Sequence, residues 1–146
     1  ARIETAVPVF IKPRGRAKRF TGRLIESPLD IGRFYGVSRR CPVWLSTPVD
    51  WLTEWRAYVV RGSIRALKHY AGDPDVAIDP AFVNEIVDAL GGDAPAGFSV
   101  DVGRLADGRM ALVECNDGYG LGSYAVDAAV YTDLIVARWT QLVGSP

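Results

Sequence analysis

Apolar and polar positions alternate with period two along much of this chain, and short strands are the elements they predict. Ala6 to Pro13 reads as an apolar strand stopped by Pro13, with Phe10 and Lys12 on one face and Val9 and Ile11 on the other. Arg23 to Glu26 and Pro42 to Ser46 read as two further strands, and Ser27 to Arg40 between them as irregular. Thr47 to Thr53 is a connector. Glu54 to Val60 and Ser63 to Tyr70 form a hairpin turned at Arg61-Gly62, with Glu54, Arg56, Tyr58 and Val60 on one face. Asp79-Pro80 opens a helix as N-cap and first residue; its apolar stripe is Phe82, Val83, Ile86, Val87 and Leu90, and Gly91-Gly92 ends it. A second helix is expected from about Ala125 to Leu142.

The stretch from Phe98 to Asn116 is the most informative. Asp107-Gly108 suits a two-residue type I′ turn, which needs positive φ at both positions. With that loop, Ala106 pairs with Arg109, Asp101 with Glu114 and Ser99 with Asn116. Ser99, Asp101, Glu114 and Asn116 then share one face, while Phe98, Val100, Val102, Val113 and Cys115 take the other. Two carboxylates directly across a strand pair repel. A divalent cation would remove that penalty and use the Asn116 carbonyl as a third oxygen ligand. The alternative is a solvated polar face with both carboxylates turned to water.

Composition narrows the setting. The chain has 146 residues, enough for one compact domain, and is 49% hydrophobic with zero net charge. Zero charge implies no bulk attraction to nucleic acid or to an anionic membrane. No apolar run approaches the roughly 20 residues that span a bilayer, and no signal peptide is visible. Cys41 and Cys115 lie far apart with no metal-like spacing; Cys115, on the apolar hairpin face, is expected as a buried thiol. Together these point to a reducing cytoplasm.

The candidate chemistry is cationic and glycine-rich. Lysines are few beside arginines: Lys12, Lys18 and Lys68. Lys12 ends an apolar strand, which suits either a cleft or the strand's exit into solvent. Arg14 to Arg23 is a basic loop with glycines at 15 and 22; its cations and free N–H groups suit phosphate. It lacks P-loop spacing, and it is also readable as a flexible solvated loop, or as a nucleic-acid loop with Phe20 as a stacking residue. Glu54 and Arg56 are readable as a same-face ion pair. Asp117 to Tyr124 is a second glycine-rich segment.

In order, these elements resemble the ATP-grasp superfamily, and within it the clade described by one arginine and two lysines. The matching pieces are Val9-Phe-Ile-Lys12-Pro13, Glu54-Trp-Arg56-Ala-Tyr-Val-Val-Arg-Gly62, and Asp101 with Glu114-Cys-Asn116-Asp-Gly118, within a likeness running from about Val7 to Val143. The resemblance implies an α+β fold of two small subdomains with mainly antiparallel sheets enclosing a nucleotide cleft: about 6–46 with the hinge, and about 47–146. It implies Lys12 and Lys18 as phosphate ligands and Phe20-Thr21-Gly22 as a covering loop. Main chain around Val43, Trp44 and Leu45 would be the adenine hinge, with Glu54 also at the nucleotide. Arg56 and Lys68 would be the catalytic cations, and Asp101, Glu114 and Asn116 the magnesium set. The implied activity is an ATP- and Mg²⁺-dependent carboxylate–amine ligase that works through an acyl-phosphate and releases ADP. The substrate domain that usually precedes this core has no counterpart in the sequence. A nucleotide-binding module without ligase activity is the first rival, a nucleic-acid-binding protein the second. Self-association is left open.

Overall fold

The computed structural model describes residues 7–15 and 19–144. The chain divides into two compact units, Ala1–Val49 and Asp50–Pro146. Among the described residues, no helix is long and apolar enough to cross a membrane.

The first unit is built on a three-stranded antiparallel sheet. Its strands are β1 (Val9–Pro13), β2 (Arg23–Ile25) and β3 (Val43–Ser46), with β1 in the centre. The alternation of β1 decides the two faces. Val9 and Ile11 are buried with Ile25, and Phe20, Phe34 and Val43 pack against them. Phe10 and Lys12 take the opposite face, as the sequence predicts. The stretch expected to be irregular holds a 3-10 helix, Pro28–Phe34. Proline at its first position and Asp30 in its first turn explain it: the Asp30 carboxylate accepts the Ser27 N–H at 3.0 Å and the Glu26 N–H at 3.1 Å. An open cavity of about 1100 Å³ lies on this side, lined among others by Ile11, Phe20, Phe34, Val43 and Leu45.

The second unit is a four-stranded antiparallel sheet covered on both faces. In chain order its elements are β4 (Trp51–Val60), β5 (Ser63–Gly72), α1 (Pro80–Leu90), β6 (Gly97–Leu105), β7 (Met110–Asp117) and α2 (Ala128–Val143), and the strand order is β5-β4-β6-β7. Ala57, Val59, Phe98, Val100 and Val102 pack on Ile78, Val83 and Val87 at the α1 side. Tyr58 and Val60 pack on Leu121, Leu134 and Ala137 at the α2 side. This double cover is why Ala57 to Val60 is an unbroken apolar run rather than an alternating one. Asp79 caps α1 through the Ala81 N–H at 2.9 Å, and Asp127 caps α2 through the Ala129 N–H at 2.9 Å. At the α2 side a Cβ on Gly97 would strike the Leu134 carbonyl, so only glycine allows α2 so close to the start of β6.

The two hairpin loops exchange the expected roles. Arg61 and Gly62 both have positive φ, 48° and 75°, between the paired Val60 and Ser63; this is the type I′ turn. Of Asp107-Gly108 only Gly108 has positive φ, 86°. The loop there has three residues, closed by Leu105 N–H to Arg109 O at 2.8 Å and Gly108 N–H to Leu105 O at 2.9 Å. The Asp107 carboxylate explains the difference, because it accepts the Arg109 N–H at 3.0 Å and so builds an Asx turn. The longer loop shifts the pairing by one, with Val102 opposite Leu112. A bulge between Asp101 and Val102 shifts it back, leaving Val113 unpaired. Asp101 therefore does face Glu114, and Ser99 faces Asn116.

Candidate functional site

Four charged residues stand in one row across the second sheet. Lys68 on β5 is opposite Arg56 on β4, Arg56 is opposite Asp101 on β6, and Asp101 is opposite Glu114 on β7. Ser99 and Asn116 lie beside this row, two residues along their strands, on the same face. Strand order makes the row: β6 lies between β4 and β7, so Asp101 meets a cation on one side and a carboxylate on the other.

Arg56 and Asp101 are both buried and joined by a two-pronged pair. Nε donates to Oδ1 at 2.7 Å and Nη2 donates to Oδ2 at 2.6 Å. Burial works against the Arg56 charge, but the bonds and charge of Asp101 outweigh it and hold the guanidinium more firmly protonated than usual. For Asp101, burial pushes the carboxyl up; Arg56 opposes that push and Glu114 adds to it. The Asn116 amide nitrogen donates to Glu114 Oε1 at 3.0 Å and approaches Asp101 Oδ2 at 3.4 Å. The two carboxylates thus converge on one donor.

That convergence is the test of the magnesium set. The donors are hard oxygens, as Mg²⁺ requires. Oxygens of two carboxylates already point at a single position, which the amide N–H₂ occupies. Rotating the Asn116 amide would bring its oxygen there instead. Asp117 is engaged elsewhere, accepting from Arg138 Nε of α2 at 2.6 Å. Among the described residues no three His, Cys, Asp or Glu side chains cluster for a metal. A cation at this place would depend on two carboxylates and an amide, and that set fits.

Three tyrosines complete the site, and the sequence reading missed them. The Tyr70 hydroxyl donates to Glu54 Oε2 at 2.9 Å, so Glu54 pairs with Tyr70, and Arg56 pairs with Asp101, instead of with each other. Burial, and then the bond to Glu54, push the Tyr70 hydroxyl up, so it stays a donor. Tyr124 lies over Arg56, with Cζ 4.9 Å from its ring centroid, and stacks on Tyr70 at 5.2 Å. Tyr58, fully buried, hydrogen-bonds to main chain at Gly122 and Ser123. The alternation of β5 already puts Tyr70 on the Lys68 face, a usable signal. Nothing local in the sequence aims Tyr124 at Arg56.

In the first unit, Lys12 is opposite Trp44, and Arg14 lies over the Trp44 ring at 5.0 Å. Gly22 backs this face: a Cβ there would come within 2.7 Å of Phe10 Cζ and 3.4 Å of Lys12 Cβ. Of the three expected hinge residues, only Trp44 shares the Lys12 face; Val43 and Leu45 line the cavity on the other. Phe20, partly buried, packs edge-on against Phe34 at 4.9 Å, against the small core. Thr21 is exposed, and Lys18 lies outside the described residues. Cys115 pairs with Val100 as expected, yet it is exposed rather than buried, because β7 is the edge strand of the sheet.

A family model described as an ATP-grasp domain, R2K clade family 2, matches residues 1–134. No curated protein matches the chain. Solved structures show the same fold. N5-carboxyaminoimidazole synthetase from Staphylococcus aureus, in complex with ADP, aligns with a TM-score of 0.63 at 13% identity over 90% of this chain and 41% of that one. The ATP-grasp ligase PsnB, complexed with a phosphomimetic variant of its minimal precursor, Mg and ADP, aligns at 0.60 and 18% identity over 89% of this chain and 46% of that one. An ADP complex of N5-carboxyaminoimidazole ribonucleotide synthetase aligns at 0.55 and 14% identity, over 75% and 34%. The chain therefore spans about a third to a half of the chains it resembles.

Proposed function

The chain belongs to the ATP-grasp domain family, R2K clade family 2, and on that premise we propose that it is the nucleotide-binding core of an ADP-forming carboxylate–amine ligase. The observation that carries the reading is the in-register row of two cations and two carboxylates, Lys68, Arg56, Asp101 and Glu114, with Asn116 beside it. The cations of such a row, together with a divalent ion held by its carboxylates, would neutralise the charge of a triphosphate and of the group transferred from it. Solved neighbours in complex with ADP, one also with Mg, support the same reading.

The chemistry has two steps. A carboxylate oxygen of the acceptor attacks the γ-phosphorus of ATP, the bond to the bridging oxygen breaks, and ADP leaves. An amine then attacks the acyl carbon of the resulting acyl-phosphate, losing a proton as inorganic phosphate departs. No side chain need form a covalent bond; the residues position the reactants and balance charge. Asp101, Glu114 and Asn116 would hold Mg²⁺, which neutralises phosphate charge when bound. Lys12 and Lys18 bind phosphate, with Phe20, Thr21 and Gly22 as the covering loop. Val43, Trp44 and Leu45 contact adenine through main chain, and Glu54 contributes to the nucleotide site. Arg56 and Lys68 face the transferring phosphoryl group. Such an enzyme works in the cytoplasm, where ATP is held.

A nucleotide-binding module without ligation is the second reading, and it shares the nucleotide site with the first. Calorimetry with Mg·ATP tests the common part. Glu114 is exposed on an edge strand, so Glu114→Gln should weaken Mg·ATP binding while leaving the melting temperature nearly unchanged. Nucleotide affinity indifferent to both that substitution and EDTA would refute the metal assignment.

A further inference from the structure

The glycine-rich segment after β7 is clamped by tyrosine hydroxyls. Tyr131 donates to the Leu121 carbonyl at 2.7 Å. The Tyr58 hydroxyl lies 2.8 Å from the carbonyl oxygens of both Gly122 and Ser123 and shares its proton between them. Ser123 O also accepts the Val126 N–H at 2.8 Å. Three successive carbonyls are thereby fixed. The next two residues, Tyr124 and Ala125, are both left-handed, with φ of 41° and 55°. Non-glycine residues enter that region against a steric penalty from Cβ, and they persist there only where the surroundings over-determine them. Here the clamp does so, and its result is the Tyr124 ring over Arg56.

Arg56 is then restrained on every side but one. Nε and Nη2 are held by Asp101, and the Tyr124 and Tyr70 rings lie 4.9 and 5.7 Å from Cζ. Nη1 has no hydrogen-bond partner among the described residues. It lies toward Gly122, where a Cβ would come 3.3 Å from the Tyr124 ring and 3.8 Å from Nη1. The missing side chain keeps that approach open.

We propose that Tyr124 is a positioning residue: its ring, set by the Tyr58 and Tyr131 clamp, fixes the Arg56 guanidinium so that Nη1 alone is presented to an anionic oxygen of the reacting phosphoryl or carboxylate group. The identity of that anion rests on the ligase reading above; the positioning of Arg56 does not. An aromatic face against a guanidinium both attracts it and limits its rotation. The ring carries the function, and the Tyr124 hydroxyl is dispensable.

Two readouts test this separately. In ¹⁵N-labelled protein, the Arg56 Nε–H resonance of the wild type and of Tyr124→Phe should share a ring-current displacement on top of the shift set by the Asp101 bond, and Tyr124→Leu should lose that ring-current part. With Mg·ATP and pooled carboxylates and amines, Tyr124→Leu should lower ADP release by about tenfold or more with little change in KM for ATP, and Tyr124→Phe should retain it. Tyr124→Phe losing as much activity as Tyr124→Leu, or a resonance that Tyr124→Leu leaves unmoved, overturns the proposal. If no pool yields ADP, the ligase reading fails and the resonance comparison alone decides the positioning of Arg56.

Discussion

At the scale of single residues, Arg56 and Asp101 dominate because both are charged and both are buried. Breaking such a pair from one side leaves an uncompensated charge in the interior. Asp101→Asn should therefore lower stability by about 3 kcal/mol or more, read as a fall in denaturation midpoint. Replacing both together, Arg56→Met with Asp101→Leu, should recover much of that loss, because no charge is then stranded. A double variant as unstable as the single one would mean the pair itself stabilises the fold. The opposition of Asp101 and Glu114 was legible in the sequence, because one hairpin contains both. The Arg56 to Asp101 pair was not. It depends on β4 lying beside β6, two strands separated in the chain by β5 and α1, and no local pattern states that order.

At the scale of elements, the hairpin β6–β7 shows how a correct register can come from a mistaken loop. The expected two-residue turn and the observed three-residue turn differ by one, and the bulge at Val113 cancels the difference before Asp101 is reached. Asx chemistry at Asp107 and a one-residue bulge leave little trace in an apolar alternation. The first helix was easier to read, since its N-cap, Asp79, and the glycine ending it are local signals; the second starts at Ala128 rather than Ala125, because Asp127 caps it. The approach of α2 to β6 can be tested directly. Gly97→Ala would push a methyl group into the Leu134 carbonyl, so a cost of about 1–3 kcal/mol is expected, as for overpacked cores generally. Gly92→Ala, where a Cβ meets open space, should be nearly silent. Equal effects on the melting temperature would contradict this account of α2 packing.

At the scale of the whole molecule, the two units differ in how much they bury. The first has Val9, Ile11 and Ile25 as its buried apolar core, whereas the second has a sheet sealed by a helix on each face. Hydrogen exchange should reflect that difference. Amides of Ala57 to Val60 and of Val100 should exchange only through global opening, and those of β1 and β3 much sooner. Mg·ATP should then slow exchange in β1, because a ligand stabilises whatever part of the fold must be formed to bind it. Uniform protection without nucleotide, or no change in β1 on adding it, would go against the assignment of Lys12 to phosphate.

The central claim is that ATP is cleaved by a carboxylate to give an acyl-phosphate and ADP. An isotope experiment tests it most directly. The protein is incubated with Mg·ATP and a pool of amines and carboxylates labelled with ¹⁸O in the carboxyl group, and the released nucleotide and phosphate are analysed. The account predicts ADP, together with inorganic phosphate that carries one ¹⁸O from the acceptor. AMP and pyrophosphate, or phosphate without label, would contradict it.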